Sequence, residues 1–163
     1  MDRIPDSLPV LGRGRHRSPA RGACFLEYTA LLAGEAFSDA PHCVDGELAA
    51  VLRHANDVLS DAHRPRLLPL LGRAIGLAAR DAARLRSEAA RRFASDLAVP
   101  LSAEEQRYAR RGAVDRLFWS LMLEPVPLST SAAWVDRLVG RLELLHAAYE
   151  GALAVPVEAG RGT

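Results

Sequence analysis

The chain has 163 residues, of which 49% are hydrophobic and 25% charged, which fits one globular domain with an ordinary core and excludes a wholly disordered chain. All 21 of its Lys and Arg residues are arginines, so Schiff-base and P-loop chemistry, which need lysine, are excluded. The formal net charge of +1 argues against broad electrostatic binding to nucleic acid. No apolar run is long enough for a membrane span and no secretory signal is recognisable, so we expect a cytoplasmic protein with no membrane contact.

Residues 1–20 contain prolines and glycines among arginines and show no periodicity, so we predict a flexible basic arm. An arm of this kind either binds an acidic protein surface or a phosphate backbone, or packs back on acidic groups such as Glu27, Glu35 and Asp39. Nucleic acid is the weaker partner because no aromatic residues are interleaved for base stacking. The candidate side chains for binding a partner or an anion are Arg13, Arg15, Arg17 and Arg21.

The first half of the remaining chain reads as helices separated by proline-containing breaks. A first helix is predicted over about residues 20–37, ended by Pro41. Asp45 is a good N-cap for a second helix, whose apolar residues recur at three- and four-residue spacing. Pro65 suits the first turn of a third helix, and a restart near residue 70 opens a helical pattern that continues to residue 97.

The second half continues the helical pattern to residue 155. Ser102 and Glu105 form a capping box that opens a helix to about residue 123. A last helix begins near residues 129–131, and residues 156–163 read as a disordered tail. We therefore predict an all-α, single-domain bundle of five or six helices over residues 21–155. The seam of the last helix is predicted at Trp134, Leu138, Leu142, Leu145 and Tyr149.

The most suggestive group of side chains lies on the first predicted helix, where Cys24, Glu27 and Glu35 share one face. With His42 and Cys43 in the following loop, a thiol and carboxylates could hold a metal or activate a thiol. The spacing matches no standard zinc site, so the alternative is a buried Cys24 with glutamates paired to arginines. The predicted metal ligands are Cys24, Glu27, His42 and Cys43.

A second group comprises Arg53, His54, Asn56 and Asp57, with Asp61, His63 and Arg64 following, and Asp39 is a further candidate. Residues of this kind near a helix end commonly serve as caps and in turns. No histidine stands in an H-x-x-x-H or H-E-x-x-H arrangement and no acid–base pair is recognisable, so no catalytic residue is assigned. Whether the chain is an enzyme stays open, and the cofactor is unknown.

Four segments carry a resemblance to known proteins: LGRGRHRSPARGACFLEY, LAGEAFSDAPHC, LAAVLRHAND and residues 61–77. Over residues 9–77 the chain resembles a group of small uncharacterised helical proteins from actinobacteria and their phages. The resemblance implies no activity, but it implies that the arm, the Cys24–Glu27 face and the 39–43 loop form one unit. A histidine commonly follows the second cysteine in that pattern, whereas Val44 follows Cys43 here.

The leading functional hypothesis is an interaction or regulatory module that binds a protein partner, because the sequence carries no specific catalytic signature. The alternatives are a metal- or thiol-dependent site and nucleic-acid binding through the arm. An exposed patch at Trp119 and Leu123 would mark a homodimer contact. The arginine-rich middle helices are interpreted as scaffold.

Overall fold

A computed structural model of the chain describes residues 9–123 and 131–155. Within these residues the regular structure consists of helices, accompanied by two isolated β-bridges, so the all-α prediction is confirmed. Short 3₁₀ turns lie at Pro19–Arg21 and Arg64–Leu67. The α-helices are α1 (Phe25–Leu32), α2 (Gly46–Val58), α3 (Leu68–Ala74), α4 (Ala82–Leu97), α5 (Ala103–Arg111), α6 (Val114–Met122) and α7 (Ala132–Ala154).

The described residues form seven α-helices instead of five or six because two predicted helices are each divided. The pattern over residues 70–97 breaks after α3, where Gly76 adopts a φ of 86°, and restarts at the N-cap Asp81. The pattern over residues 103–123 breaks at Gly112, whose φ of 66° ends α5 before α6 begins. A glycine in the left-handed region is a common helix terminator, since it carries no Cβ penalty there.

The predicted first helix is shortened at both ends. It begins at Phe25 instead of residue 20, because Gly22 adopts a φ of 110° and Cys24 serves as the N-cap. It ends at Leu32, shortly before Gly34 adopts a φ of 73°. The residues predicted to extend this helix in both directions therefore lie outside it, and three candidate site residues, Arg21, Cys24 and Glu35, are among them.

The predicted helix starts that depend on side-chain caps are confirmed. Asp45 accepts hydrogen bonds from the first-turn amides of α2, and Ser102 and Glu105 cap α5 reciprocally. Ser131 caps α7 by accepting from the amide of Trp134. All five predicted seam residues of α7 are buried.

The helices pack around one hydrophobic core. α7 lies along α4, which also contacts α5 and α6, while α1 contacts α2 and α3, and α2 contacts α6. None of the helices in the described ranges is long and apolar enough to cross a bilayer. The predicted tail, residues 156–163, lies outside the residues that the structure describes.

A buried polar cluster around Asp45 joins three helices inside this core. Its carboxylate accepts from Arg86 Nε on α4 at 2.8 Å and from the Tyr149 hydroxyl on α7 at 2.9 Å. Burial, together with the charge of Asp45, raises the pKa of Tyr149, so the hydroxyl stays protonated and donates. The cluster is satisfied internally and fixes the position of α4 against α2 and α7.

Candidate functional site

The predicted arm is docked on the domain over the part that the structure describes. Gly12 N donates to Ala23 O at 2.9 Å, and Ala23 N donates to Val10 O at 3.1 Å. Residues 10–23 therefore pack back on the domain, which is one of the alternatives that the sequence analysis left open for the arm. Residues 1–8 lie outside the described residues, so the prediction of flexibility there stays a prediction.

Glu27 is the main anchor of the arm. Its side chain is 1% exposed and accepts from His16 N at 2.7 Å, from His16 Nδ1 at 2.9 Å and from Cys24 N at 2.8 Å. The same carboxylate thus closes the N-terminal capping box of α1 and holds the arm. Because three donors occupy it, Glu27 is committed to internal contacts.

Asn56 and Asp57 at the end of α2 hold the arm from the other side. The fully buried Asn56 accepts from Phe25 N at 3.2 Å and donates to Gly12 O at 2.9 Å. Asp57 accepts from Gly14 N at 3.0 Å. These residues were predicted to serve caps and turns, and instead they bridge α2 to the arm.

Arg64, which belongs to the same group in the sequence, completes this polar region, but the sequence analysis did not predict its burial. Its side chain is 2% exposed and donates to Asn56 O at 2.8 Å and to Leu59 O at 2.7 Å. It also contacts the exposed Asp61 at 2.5 Å. The sequence carries no signal that Arg64 is buried, because the acceptors that hold it in the interior are the backbone carbonyls of Asn56 and Leu59.

The 35–43 loop is organised by Glu35, which accepts from His42 N at 2.7 Å and from Cys43 N at 2.8 Å. Burial acts to raise the pKa of Glu35, but the hydrogen bonds from these two amides outweigh it and lower the pKa. Arg53 lies beside the same loop and donates to Asp39 O at 3.1 Å. These predicted site residues therefore organise the loop through contacts with one another.

The structure places the predicted metal ligands in two separate groups. In the described part of the chain, no group of three or more His, Cys, Asp or Glu side chains is arranged to hold a metal ion. Cys24 and Glu27 belong to the α1 N-terminus, whereas His42 and Cys43 belong to the Glu35 loop, and both carboxylates are occupied by amide donors.

The thiols are also poorly suited to act as nucleophiles. Burial raises the pKa of Cys24 to about 12 and the pKa of Cys43 to about 11, and Glu35 contributes to the latter shift. Both therefore stay protonated at neutral pH, whereas a reactive cysteine needs thiolate character. The two cysteines are free, and Cys24 is buried.

The four arm arginines divide into two pairs. Arg13 Nε donates to Asp57 O at 2.8 Å, and Arg15 Nε lies 3.8 Å from an Asp39 carboxylate oxygen. Arg17 and Arg21 are exposed. The arm thus uses half of its arginines to contact the domain beneath it.

A groove of about 870 Å³ lies between α4, α5 and the C-terminal end of α7. Its size is within the range of ligand and peptide sites. Leu153 and Val155, at the end of α7, are each 38% exposed there. The apolar side chains of the groove are Leu85, Ala94, Leu101, Ala109, Leu153 and Val155.

Four arginines and two carboxylates line the same groove, and the carboxylates are already engaged. Asp81 accepts from the amide of Arg84 as the N-cap of α4, and Glu88 binds Arg91 at 2.6 Å and Arg92 at 2.7 Å. The hydrogen bond from Arg91 is the largest of the effects that lower the pKa of Glu88.

The remaining three arginines of the groove are unpaired. Within residues 9–123 and 131–155, the guanidinium groups of Arg80, Arg84 and Arg110 make no hydrogen bond or ion pair. All three side chains are exposed. The groove therefore combines apolar surface with positive charge that the described protein does not neutralise.

The sequence analysis interpreted this part of the chain as scaffold and missed the groove. A signal was present, since Arg80 and Arg110 have no acidic residue three or four positions away with which to pair on a helix. The apolar side of the groove carries no such signal, because Leu85 and Leu153 come together only through the packing of α4 on α7.

Two further features lie outside the groove. Leu123 is 80% exposed at the end of α6, beside a half-buried Trp119, and residues 124–130 are not described, so the homodimer stays a prediction.

His146 on α7 is fully buried, with Nδ1 2.7 Å from Leu142 O and no partner for Nε2 among the described residues. Burial lowers the pKa of His146 from 6.5 to about 4, so the imidazole is neutral at physiological pH.

Comparison with known proteins supplies no family, since no protein-family model, curated protein or solved structure matches the chain.

Proposed function

We propose that the chain is a helical interaction module that binds a segment of a protein partner in the groove between α4, α5 and the end of α7. The observation that carries the proposal is the combination of exposed apolar side chains with three arginines on its walls that have no partner among the described residues. Exposed apolar side chains that line a groove and are rimmed by polar groups are typical of interaction sites.

The groove supports this function better than the arm does. The backbone of the arm is hydrogen-bonded to the domain, and Arg13 and Arg15 contact Asp57 and Asp39. A partner that bound the arm would have to replace these contacts. A partner in the groove would instead bury Leu153 and pair with guanidinium groups that lack an internal acceptor, so it would displace no contact of the described protein.

Photo-crosslinking in cells that carry the gene tests the proposal. A benzoylphenylalanine residue replaces Gln106, an exposed groove residue on α5, and in a control variant it replaces the exposed Glu143 on α7 outside the groove. We expect one defined protein to be crosslinked at Gln106 and not at Glu143.

A second substitution tests whether the crosslink depends on the groove. Leu153→Asp places a charge on its apolar side at a position that is already 38% exposed, so we expect the fold to persist and the adduct to be lost. An adduct that survives Leu153→Asp, an adduct only with a second copy of the chain, or no adduct at Gln106 would contradict the proposal.

A further inference from the structure

The length of the groove limits what can occupy it. On α4 the lining residues run from Arg84 to Ala94 at spacings of three and four, so they lie along one face of the helix. Ten residues of helix correspond to about 15 Å. An occupant that lies parallel to this face therefore contacts it over about three helical turns.

The walls of the groove determine the secondary structure of the occupant. α4 lies between α5 on one side and the last turn of α7 on the other, and all three present side chains to the groove. A helix laid between them would pack as a further member of the bundle, with its own backbone hydrogen bonds satisfied. The groove presents no strand edge in the described residues with which an extended peptide could pair.

The charges of the groove determine the chemistry of the occupant. Arg80 precedes the N-cap of α4, Arg84 lies in the first turn of α4, and Arg110 lies on α5. Because all three lack an internal acid in the described residues, carboxylates of a partner would gain ion pairs without breaking existing ones. A guanidinium also forms bidentate contacts with a carboxylate, which favours Asp and Glu over neutral side chains.

We infer, resting on the proposed function, that the occupant is an acidic amphipathic helix of about three turns. Its apolar residues, spaced at i, i+4 and i+7, lie on Leu101, Leu153 and Val155, and its flanking carboxylates pair with Arg80, Arg84 and Arg110. A basic helix of the same shape is repelled by these arginines, so the groove selects its partner by charge as well as by apolar fit.

Three synthetic peptides test the inference on the full chain. The first is a lactam-stapled helix with leucines at i, i+4 and i+7 and glutamates at the flanking positions. The second peptide carries lysine in place of each glutamate, and the third keeps the glutamates but replaces the leucines with serine. We expect fluorescence anisotropy at about 0.05 M salt to give the acidic leucine peptide at least about tenfold tighter binding than either of the others, with a difference between acidic and basic peptides that shrinks at high salt.

A charge-reversed protein provides the matched test. Arg84→Glu combined with Arg110→Glu alters two exposed side chains, so the fold is retained, and the preference should invert toward the basic peptide. Equal affinity for acidic and basic peptides, or a preference unchanged by the reversal, would overturn the inference.

The inference and the proposed function fail in different ways. If Gln106 crosslinks a partner in a manner that depends on Leu153 but the acidic peptide does not bind, the interaction function stands and the acidic helix is wrong. If neither a specific adduct nor peptide binding is found, both are wrong.

Discussion

Two regions of this molecule are rich in polar side chains, and they use them in opposite ways. Around the arm, α1 and α2, carboxylates and amides are buried and saturated: Glu27 accepts three hydrogen bonds, and Asn56 joins the arm to α1. In the groove between α4, α5 and α7, three exposed arginines have no partner in the described residues.

The difference shows that an unusual cluster of residues is not by itself a binding site. The cysteines, glutamates and histidines of the first third attract attention because such residues can bind metals or catalyse reactions, yet their donors and acceptors hold the chain together. The groove has ordinary residue types, but its charges and apolar surface face outward. Three variants test this contrast and a fourth tests a buried histidine outside both regions, beginning with the largest expected effect on stability.

Removing the anchor of the arm should have the largest effect. Glu27→Ala leaves His16 and two buried amides without their acceptor, so we expect the free energy of unfolding to fall by about 3 kcal/mol. Chemical denaturation measures the loss. The control is Glu143→Ala, an exposed change that should stay within about 0.5 kcal/mol, and a loss below about 1 kcal/mol for Glu27→Ala would show that the arm is weakly held.

The buried imidazole predicts a pH dependence that lies outside both regions. The pKa of His146 is lowered from 6.5 to about 4, so its contribution is complete above pH 6.5 and is lost as the pH falls toward 4, where only the unfolded chain binds the proton. The loss amounts to at most about 3 kcal/mol. Arg73 nearby lowers this pKa further, and Glu150 raises it.

His146→Leu isolates this contribution from that of the carboxylates. Denaturation curves between pH 7 and 4.5 should show a smaller loss of stability in the variant than in the unaltered protein. Equal losses in both proteins would show that the pKa of His146 is the same in the folded and the unfolded chain.

A smaller effect is expected at Asn56. Asn56→Ala leaves Phe25 N and Gly12 O without their partner, which should cost about 2 kcal/mol. Because the arm is released locally, trypsin should cleave faster after Arg15 and Arg17, while cleavage after the exposed Arg80 keeps its rate. An unchanged rate in the arm would mean that other contacts hold it.

The smallest effect on stability is expected in the groove. Arg84→Glu with Arg110→Glu removes no hydrogen bond or ion pair within the described residues, so unfolding should change by less than about 0.5 kcal/mol. Thermal and chemical denaturation measure it. A loss of more than about 2 kcal/mol would show that these arginines stabilise the fold and are not free for a partner.

The sequence predicts the parts of the fold that depend on local chemistry. The caps at Asp45, Ser102 and Ser131 and the buried seam of α7 were correct because caps and helical periodicity involve residues within a few positions of each other. The divided helices were missed because Gly76 and Gly112 are tolerated in a helical pattern, whereas in the structure Gly112 ends α5 with a left-handed φ and α3 ends at the extended Ile75, just before Gly76.

The candidate sites could not be predicted in the same way because their contacts are not local. Asn56 meets Gly12 across 44 residues, and nothing in either segment specifies the other. Leu85 and Leu153 line one groove only because α4 packs along α7. Residue types therefore identified a region rich in polar side chains. Which groups each side chain donates to or accepts from could be learned only from the structure.

The most direct test of this contrast is the affinity of the Arg84→Glu, Arg110→Glu protein for the acidic and basic helical peptides. The account predicts that the reversed protein, at unchanged stability, binds the acidic peptide at least about tenfold more weakly than the unaltered protein does and binds the basic peptide more tightly. Affinities for both peptides that the reversal leaves unchanged would contradict it.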